Sequence, residues 1–478
     1  MRLERRLGVA VVVLGALGLG GGCGEPVDPG RHVVAPSLAA RLAAASASDT
    51  SFVVVRYDEA ATTGAAVAAR IKDLGAGARA LIQLPFVGAL ATKEQVSAIA
   101  AIPGVLRVTE NRQLRWLSLG RSATAALLDE SVPTIKADQA RVRYGVSGRG
   151  IGVAILDSGI DGFYQHDVAY PTRTVQNLKV IANGRDLVCF KDAPCPGSIY
   201  IENLANSETS VGHGTHVSGI AGGNGTMSNG LYTGVAPGAN LIGIGTGDVL
   251  FVFWALAGFD YILQNQDRYN IKVVNNSWGS SGPFDPDDPV SVASKRAHDR
   301  GITVVFAAGN DGPDQNTLNP YSVAPWVIGV AASCSVTDSL GRANQCGGGR
   351  MLADFSSRGI PGDALYHPTV TAPGVYVNST RASSGAVLTG LDAPKDMQGT
   401  CGLRQEYIAY YTCASGTSMA TPHVTGVVAL MQERAGGRLT PDQVRSILVQ
   451  SADPLAGYAT FEVGAGLVNA LAAVGRSR

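Results

Sequence analysis

The feature that most constrains this chain is a recurring strand that is apolar on both faces. Gly150-Ile151-Gly152-Val153-Ala154-Ile155-Leu156 is the first case, followed by Ile271-Lys272-Val273-Val274-Asn275 and Ile302-Thr303-Val304-Val305-Phe306-Ala307. A strand of a half-solvated sheet alternates apolar and polar residues; one without alternation belongs to a parallel sheet covered by helices on both sides. Between these runs, Val249 to Leu263 is apolar apart from Asp260. Its uncharged part, 249–259, is too short for the roughly 20 residues a membrane span needs, so it reads as a core helix. Strands alternating with helices from about Ser131 predict an α/β fold with a doubly wound, mostly parallel sheet over 130–478. A hydrophobic content of 45% supplies the core such a sheet requires, and 38 basic against 38 acidic residues leave no net field to bind nucleic acid.

The N-terminal part reads differently. Residues 1–23 pair a basic start, Arg2 to Arg6, with the apolar stretch Leu7 to Leu19, which is too short to span a bilayer and suits an export signal. Gly20-Gly21-Gly22-Cys23 resembles a bacterial lipoprotein cleavage site, with Leu19 one place further from Cys23 than that pattern has it; the alternative is an ordinary cut near Gly22. Both imply export, with a membrane link only through a lipid on Cys23. Residues 24–49, rich in Pro, Ala and Ser, read as a linker. Over 50–115 the order β-α-β-β-α-β predicts a small ferredoxin-like α+β domain, with two short strands broken around Pro85. Residues 111–135 show no element, and a domain boundary is placed there.

Seven cysteines agree with an oxidising destination. With Cys23 aside, six allow 15 pairings. The short loops favour Cys189–Cys195, Cys334–Cys346 and Cys401–Cys413, and none has C-x-x-C metal spacing.

Three boxes carry chemistry. Ala154-Ile155-Leu156-Asp157-Ser158-Gly159-Ile160-Asp161 places a carboxylate just past a buried strand, where ligands gather in open α/β sheets. Gly212-His213-Gly214-Thr215-His216-Val217-Ser218-Gly219 puts a histidine at a helix start. Gly416-Thr417-Ser418-Met419-Ala420-Thr421-Pro422-His423 does the same for a serine, with Pro422 tolerable in a first turn. Singly these are a turn aspartate, a structural histidine and a cap. Together, in the order Asp, His, Ser, they resemble the subtilisin-like serine peptidases. The resemblance runs from about Ser131 to near the C-terminus, and more weakly over the preceding small domain.

That resemblance implies roles. Ser418 would be the nucleophile of an endopeptidase, His213 its general base and acid, and Asp157 the group that orients the imidazole. Phe306-Ala307-Ala308-Gly309-Asn310 matches the family's oxyanion box, with the Asn310 side chain and the Ser418 N–H as donors. Ser277, Trp278 and Gly279 resemble the segment that pairs with substrate backbone; the Trp278 side chain is either a pocket wall or core. His216, His423 and Asp161 read as packing or hydrogen-bonding residues. No cofactor is required. Structural calcium occurs in the family, but Asp285, Asp287 and Asp288, and Asp186, Asp192 and Glu202, follow no ligand spacing and read as solvated acidic loops, so no metal residue is assigned. The small domain resembles an inhibitor-like propeptide, and a retained adaptor is the other reading. The expected protein is a monomeric, exported zymogen acting on proteins or peptides, with its own propeptide as a partner. A silent binding module on this scaffold and a processing peptidase with one cognate partner remain as alternatives.

Overall fold

The computed structural model describes residues 33–117, 128–181, 187–193, 195, 197–334, 351–384, 388 and 401–478. The expectations for the leader, Cys23, Cys346 and Asp186 lie outside the described residues.

An eight-stranded sheet forms the larger body. Its strands are β6 (Gly152–Asp157), β7 (Thr174–Val180), β8 (Tyr200–Ile201), β9 (Asn240–Gly245), β10 (Ile271–Asn276), β12 (Thr303–Ala307), β13 (Val327–Ser333) and β14 (Val370–Pro373), in the order β14-β13-β12-β10-β6-β9-β7-β8. Every neighbouring pair is parallel except the edge pair β7–β8. The unbroken apolar pattern of β6 follows from its two buried faces. Val153 and Ile155 join one core with Val217 and Ile220 of helix His213–Gly222 and with Val424 and Val428 of helix Thr417–Arg434. Ala154 and Leu156 join the opposite core with Phe253 and Phe259 of helix Val252–Asn265 and Val290 of helix Pro289–Asp299. No helix among the described residues is long and apolar enough to cross a membrane.

The N-terminal unit has four strands, β1 (Thr50–Tyr57), β2 (Gly77–Ala80), β3 (Phe86–Thr92) and β4 (Val105–Glu110), in the antiparallel order β2-β3-β1-β4. Its helices α2 (Gly64–Asp73) and α3 (Lys93–Ala100) cover one face, where Val53 and Val55 meet Val67, Ile71, Val96 and Ile99. Alternation sends Val54 and Phe86 to the other face, and both belong to the core of the larger body. Phe52 packs on Phe253 with ring centroids 5.1 Å apart. At Gly88 a Cβ would lie 2.6 Å from the Phe253 ring, so only a glycine lets the strand approach so closely. This small sheet has no solvated face.

Three expectations about secondary structure need correction. Part of the segment read as linker is ordered: α1 (Pro36–Ala44) buries Leu38 and Leu42, four residues apart on one helical face, and Val34 bridges Val108. The Ala-rich composition taken for a tether also favours helix, and Pro36 sits in the first turn, where its missing N–H costs nothing. The first strand of the small hairpin is Gly77–Ala80, ahead of the expected position. Residues 111–135 hold β5 (Arg115–Trp116) and α4 (Leu128–Thr134). Cys189–Cys195 and Cys401–Cys413 are bonded, and Cys334 is bonded too.

Candidate active site

Asp157 is the last residue of β6, near the middle of the sheet at its C-terminal edge. Its Oδ1 accepts from the Ser158 N–H at 2.8 Å and lies 2.6 Å from His213 Nδ1. Both side chains are fully buried. His213 opens its helix, and Gly214 beside it leaves room for the Asp157 turn, since a Cβ there would run into the Gly159 carbonyl. Gly212 provides no side-chain cap. Glu208 supplies one from a distance: its carboxylate accepts from the Thr215 N–H (2.9 Å) and hydroxyl (2.8 Å) and from the Thr209 N–H (3.0 Å). Burial pushes the Glu208 carboxyl up to about 7 against these donors. Sequence reasoning missed Glu208, whose only signal is an acid five residues ahead of the histidine.

Ser418 is the second residue of helix Thr417–Arg434. Its hydroxyl donates to the Ser277 carbonyl at 2.7 Å, while His213 Nε2 and Asp157 Oδ2 are buried without a partner. The fold therefore joins Asp157 to His213 and leaves the Ser418 hydroxyl turned elsewhere. Pro422 lies beyond the first turn and cannot donate to the Ser418 carbonyl; the Ser277 hydroxyl does so instead, at 2.9 Å. Asn310 follows β12, and its Oδ1 accepts the Thr417 N–H and hydroxyl at 2.9 and 2.8 Å. The Nδ2 donors are what the amide keeps for a ligand.

The neighbouring polar residues are internal struts. His216 Nε2 lies 3.2 Å from the Thr412 carbonyl, and His423 bridges the Met419 carbonyl and Ser131 Oγ at 2.8 Å each. Burial pushes these imidazoles down to about 3 and about 4, so both are neutral. Asp161 accepts from the Tyr164 and Ser383 N–H groups. Trp278 resolves to core: it is fully buried, edge-on to Phe306, with its indole N–H on the Leu156 carbonyl at 2.9 Å.

The backbone of Trp278–Gly279 (β11) has a partner, the N-terminal unit's own tail. Trp116 pairs with Trp278 and Arg115 with Gly279 in antiparallel register, and Leu114 donates to the Leu250 carbonyl at 2.8 Å. The Leu117 N–H points at the Ser277 carbonyl (3.4 Å), and the Leu117 carbonyl accepts the Ser418 backbone N–H at 3.1 Å. Leu114 and Leu117 are buried, and the Trp116 ring lies 5.3 Å from the His213 ring.

The acids around Asp285 anchor this tail and the sheet behind it, which corrects their reading as a solvated loop. Arg107 meets Asp285 and Arg56 meets Asp287 at 2.8 Å, and Arg112 meets Asp288 at 2.7 Å. Three carboxylates neutralised by three guanidinium groups do not suit calcium, and Glu202 is engaged by Gln176 and Tyr261. Among the described residues no cluster of three potential ligands forms. On the same side, Asp260 of helix Val252–Asn265 is buried and accepts the N–H groups of Ile82 (3.1 Å), Gln83 (2.5 Å) and Leu84 (3.1 Å).

Comparison with known proteins places this arrangement. The model of the subtilase family, Peptidase_S8, matches residues 148–466. The chain is 31% identical over 377 residues to serine protease AprX of Bacillus subtilis (strain 168), covering 76% of this chain and 75% of that protein. It is 29% identical over 350 residues to subtilisin DY of Bacillus licheniformis, covering 72% and 97%. The crystal structure of fervidolysin from Fervidobacterium pennivorans, a keratinolytic enzyme related to subtilisin, shares the fold with a TM-score of 0.62 at 23% identity, covering 89% of this chain and 61% of that one. With its boxes at the C-terminal edge of a parallel sheet, this chain belongs to the subtilase family of serine peptidases.

Proposed function

We propose that the protein is an exported serine endopeptidase that works through Asp157, His213 and Ser418 and is made as a self-processing zymogen cut between Leu117 and Ser118. One observation carries this reading: the tail lies antiparallel on β11 with the Leu117 carbonyl on the Ser418 N–H. A peptide held this way presents a carbonyl carbon to the serine and its oxygen to the anion donors.

The chemistry follows from the residues. Turning the Ser418 hydroxyl from the Ser277 carbonyl to His213 Nε2 is a change between staggered rotamers. Oγ then attacks the Leu117 carbonyl carbon as its proton passes to Nε2. The oxyanion is held by the Ser418 N–H, at the positive end of its helix, and by Asn310 Nδ2. Collapse breaks the bond to the Ser118 nitrogen, which takes the proton from His213. Water then repeats the sequence and frees the Leu117 carboxylate. Asp157 holds the imidazole tautomer and offsets the charge of the imidazolium without being protonated. Tethering makes the first cut intramolecular and independent of enzyme concentration. Protein and peptide segments take the same extended path afterwards. Export is supported by the leader composition, by the disulfides and by a relative described as an extracellular protease of Xanthomonas campestris.

The test is N-terminal mapping of wild type and Ser418→Ala from a protease-deficient host. Wild type should yield a chain beginning at Ser118 and label with a fluorophosphonate; Ser418→Ala should stay whole and unlabelled. Normal processing of Ser418→Ala ends the self-processing reading, and labelling of that variant at another residue ends the serine assignment.

A further inference from the structure

The larger body carries a disulfide-closed loop, Leu187 to Gly197, and this loop reaches the N-terminal unit rather than the cleft. β2 is the outermost strand of the small sheet, so its outer edge presents backbone groups that its own sheet does not pair. The loop meets that edge. Ala78 and Cys189 exchange both backbone hydrogen bonds, at 2.9 Å from the Ala78 N–H and 3.1 Å from the Cys189 N–H. Arg79 then embraces the loop: Nε donates to the Leu187 carbonyl at 2.5 Å and Nη1 to the Gly197 carbonyl at 3.1 Å. Its Nη2 lies 3.6 and 3.7 Å from the two cystine sulfurs. One guanidinium can reach both carbonyls because the cystine draws the two ends of the loop together. Leu187, Val188 and Cys189 are buried. At Gly77 a Cβ would lie 2.6 Å from Val188 and 2.8 Å from Phe190, so a larger residue on β2 would push these loop side chains away.

We propose that this loop is a clamp for the N-terminal unit, and that its closure by Cys189–Cys195 sets how long the cut unit stays on the peptidase with its tail in the cleft. The inference rests on reading residues 33–117 as an inhibitory prodomain. The closed ring holds the Leu187 and Gly197 carbonyls at the spacing Arg79 needs, so docking orders little further chain. The contacts are backbone hydrogen bonds, the Arg79 guanidinium on two neutral carbonyls and apolar packing, with no partner charge for salt to screen. The rim pair Lys191–Asp73 is exposed and adds little. Opening the ring would leave the triad region untouched, because none of these residues belongs to it.

Two substitutions from opposite sides test the clamp in the full-length chain, Gly77→Ala on β2 and the double change Cys189→Ser with Cys195→Ser on the loop. After self-cleavage, size-exclusion chromatography follows how long the N-terminal fragment co-elutes, and the lag before casein digestion follows its release. Each variant should release the fragment about tenfold faster, the effect of about one lost hydrogen-bonded contact, with the final casein rate unchanged. Release within twofold of wild type in both would overturn the clamp. Hydrogen exchange on the uncut Ser418→Ala chain gives a readout that needs no cleavage. There the Ala78 and Cys189 amides should lose protection in both variants, and retained protection would also overturn it. If this loss appears but the chain that keeps Ser418 never cuts itself, the zymogen reading fails and the clamp stands.

Discussion

Asp157 and Asp260 are buried carboxylates, whereas Asp285, Asp287 and Asp288 sit on a partly exposed loop of the same body, and the two groups hold their partners on different physical terms. Asp157 has a single imidazole against it and one backbone donor, the Ser158 N–H, beside it, and both side chains of the pair are fully buried. Asp260 accepts three consecutive N–H groups of the 82–84 turn, of which that of Leu84 is buried and would otherwise be unpaired. The outer three meet arginines whose side chains remain 25 to 36% exposed, so each pair is screened by salt and gains little over solvation. The comparison teaches that the acids most visible as a cluster in sequence matter least individually. The isolated acids in apolar stretches carry the positioning.

Substitutions can break that contrast at graded cost. The largest effect expected is Asp157→Asn, which should keep the fold but lower kcat by on the order of 10⁴, because the imidazole loses the acceptor that sets its tautomer. That magnitude is borrowed from another serine peptidase lineage, and steady-state kinetics on a peptide ester checks it. Next is Asp260→Ala. Three consecutive N–H groups, that of Leu84 buried, lose their acceptor, at about 2–3 kcal/mol in all, so the N-terminal fragment should dissociate roughly a hundredfold faster, read by its co-elution after cleavage.

Titration sharpens the buried side of the comparison. His216 and His423 are held neutral, with folded values near 3 and 4 against 6.5. The unfolded chain gains their protons first, so their contribution to stability is lost progressively as pH falls below 6.5. Glu208 acts oppositely: its folded value near 7 exceeds its ordinary 4.5, so its contribution is full below 4.5 and lost as pH rises through 7. Glu208→Gln should therefore steepen the acid loss of stability between pH 6.5 and 4.5 by about 1 kcal/mol per pH unit, measured by denaturant unfolding across that range. The smallest effect belongs to the rim. Arg107→Ala should weaken retention of the N-terminal unit by less than about 1 kcal/mol, and the difference should vanish in 1 M salt, where the screening length falls to about 3 Å. A larger, salt-independent loss would place that pair among the buried contacts.

Much of this architecture is legible from residue pattern. Unbroken apolar runs such as 151–156 exist because β6 is covered on both faces, and Val67, Ile71, Val96 and Ile99 reveal helices by their spacing. The three boxes and Asn310 are legible because their chemistry needs particular residue types beside strand ends and helix starts. Other features leave no periodic trace. Arg115–Trp116 is a strand only because β11 pairs with it, and two residues carry no pattern. Glu208 caps a helix from outside it, and Asp260 looks like a flaw in an apolar helix until the 82–84 turn is laid against it. The Cys189–Cys195 loop is a short staple in sequence and a contact surface in space. The sequence alone determined the layers, the family boxes and the local cystines, because periodicity and residue chemistry are written within short windows. Tertiary structure alone decided where the tail lies, which carbonyl meets the Ser418 N–H and which acids anchor the N-terminal unit, because those contacts join residues more than a hundred positions apart, and no local pattern encodes a partner at that distance.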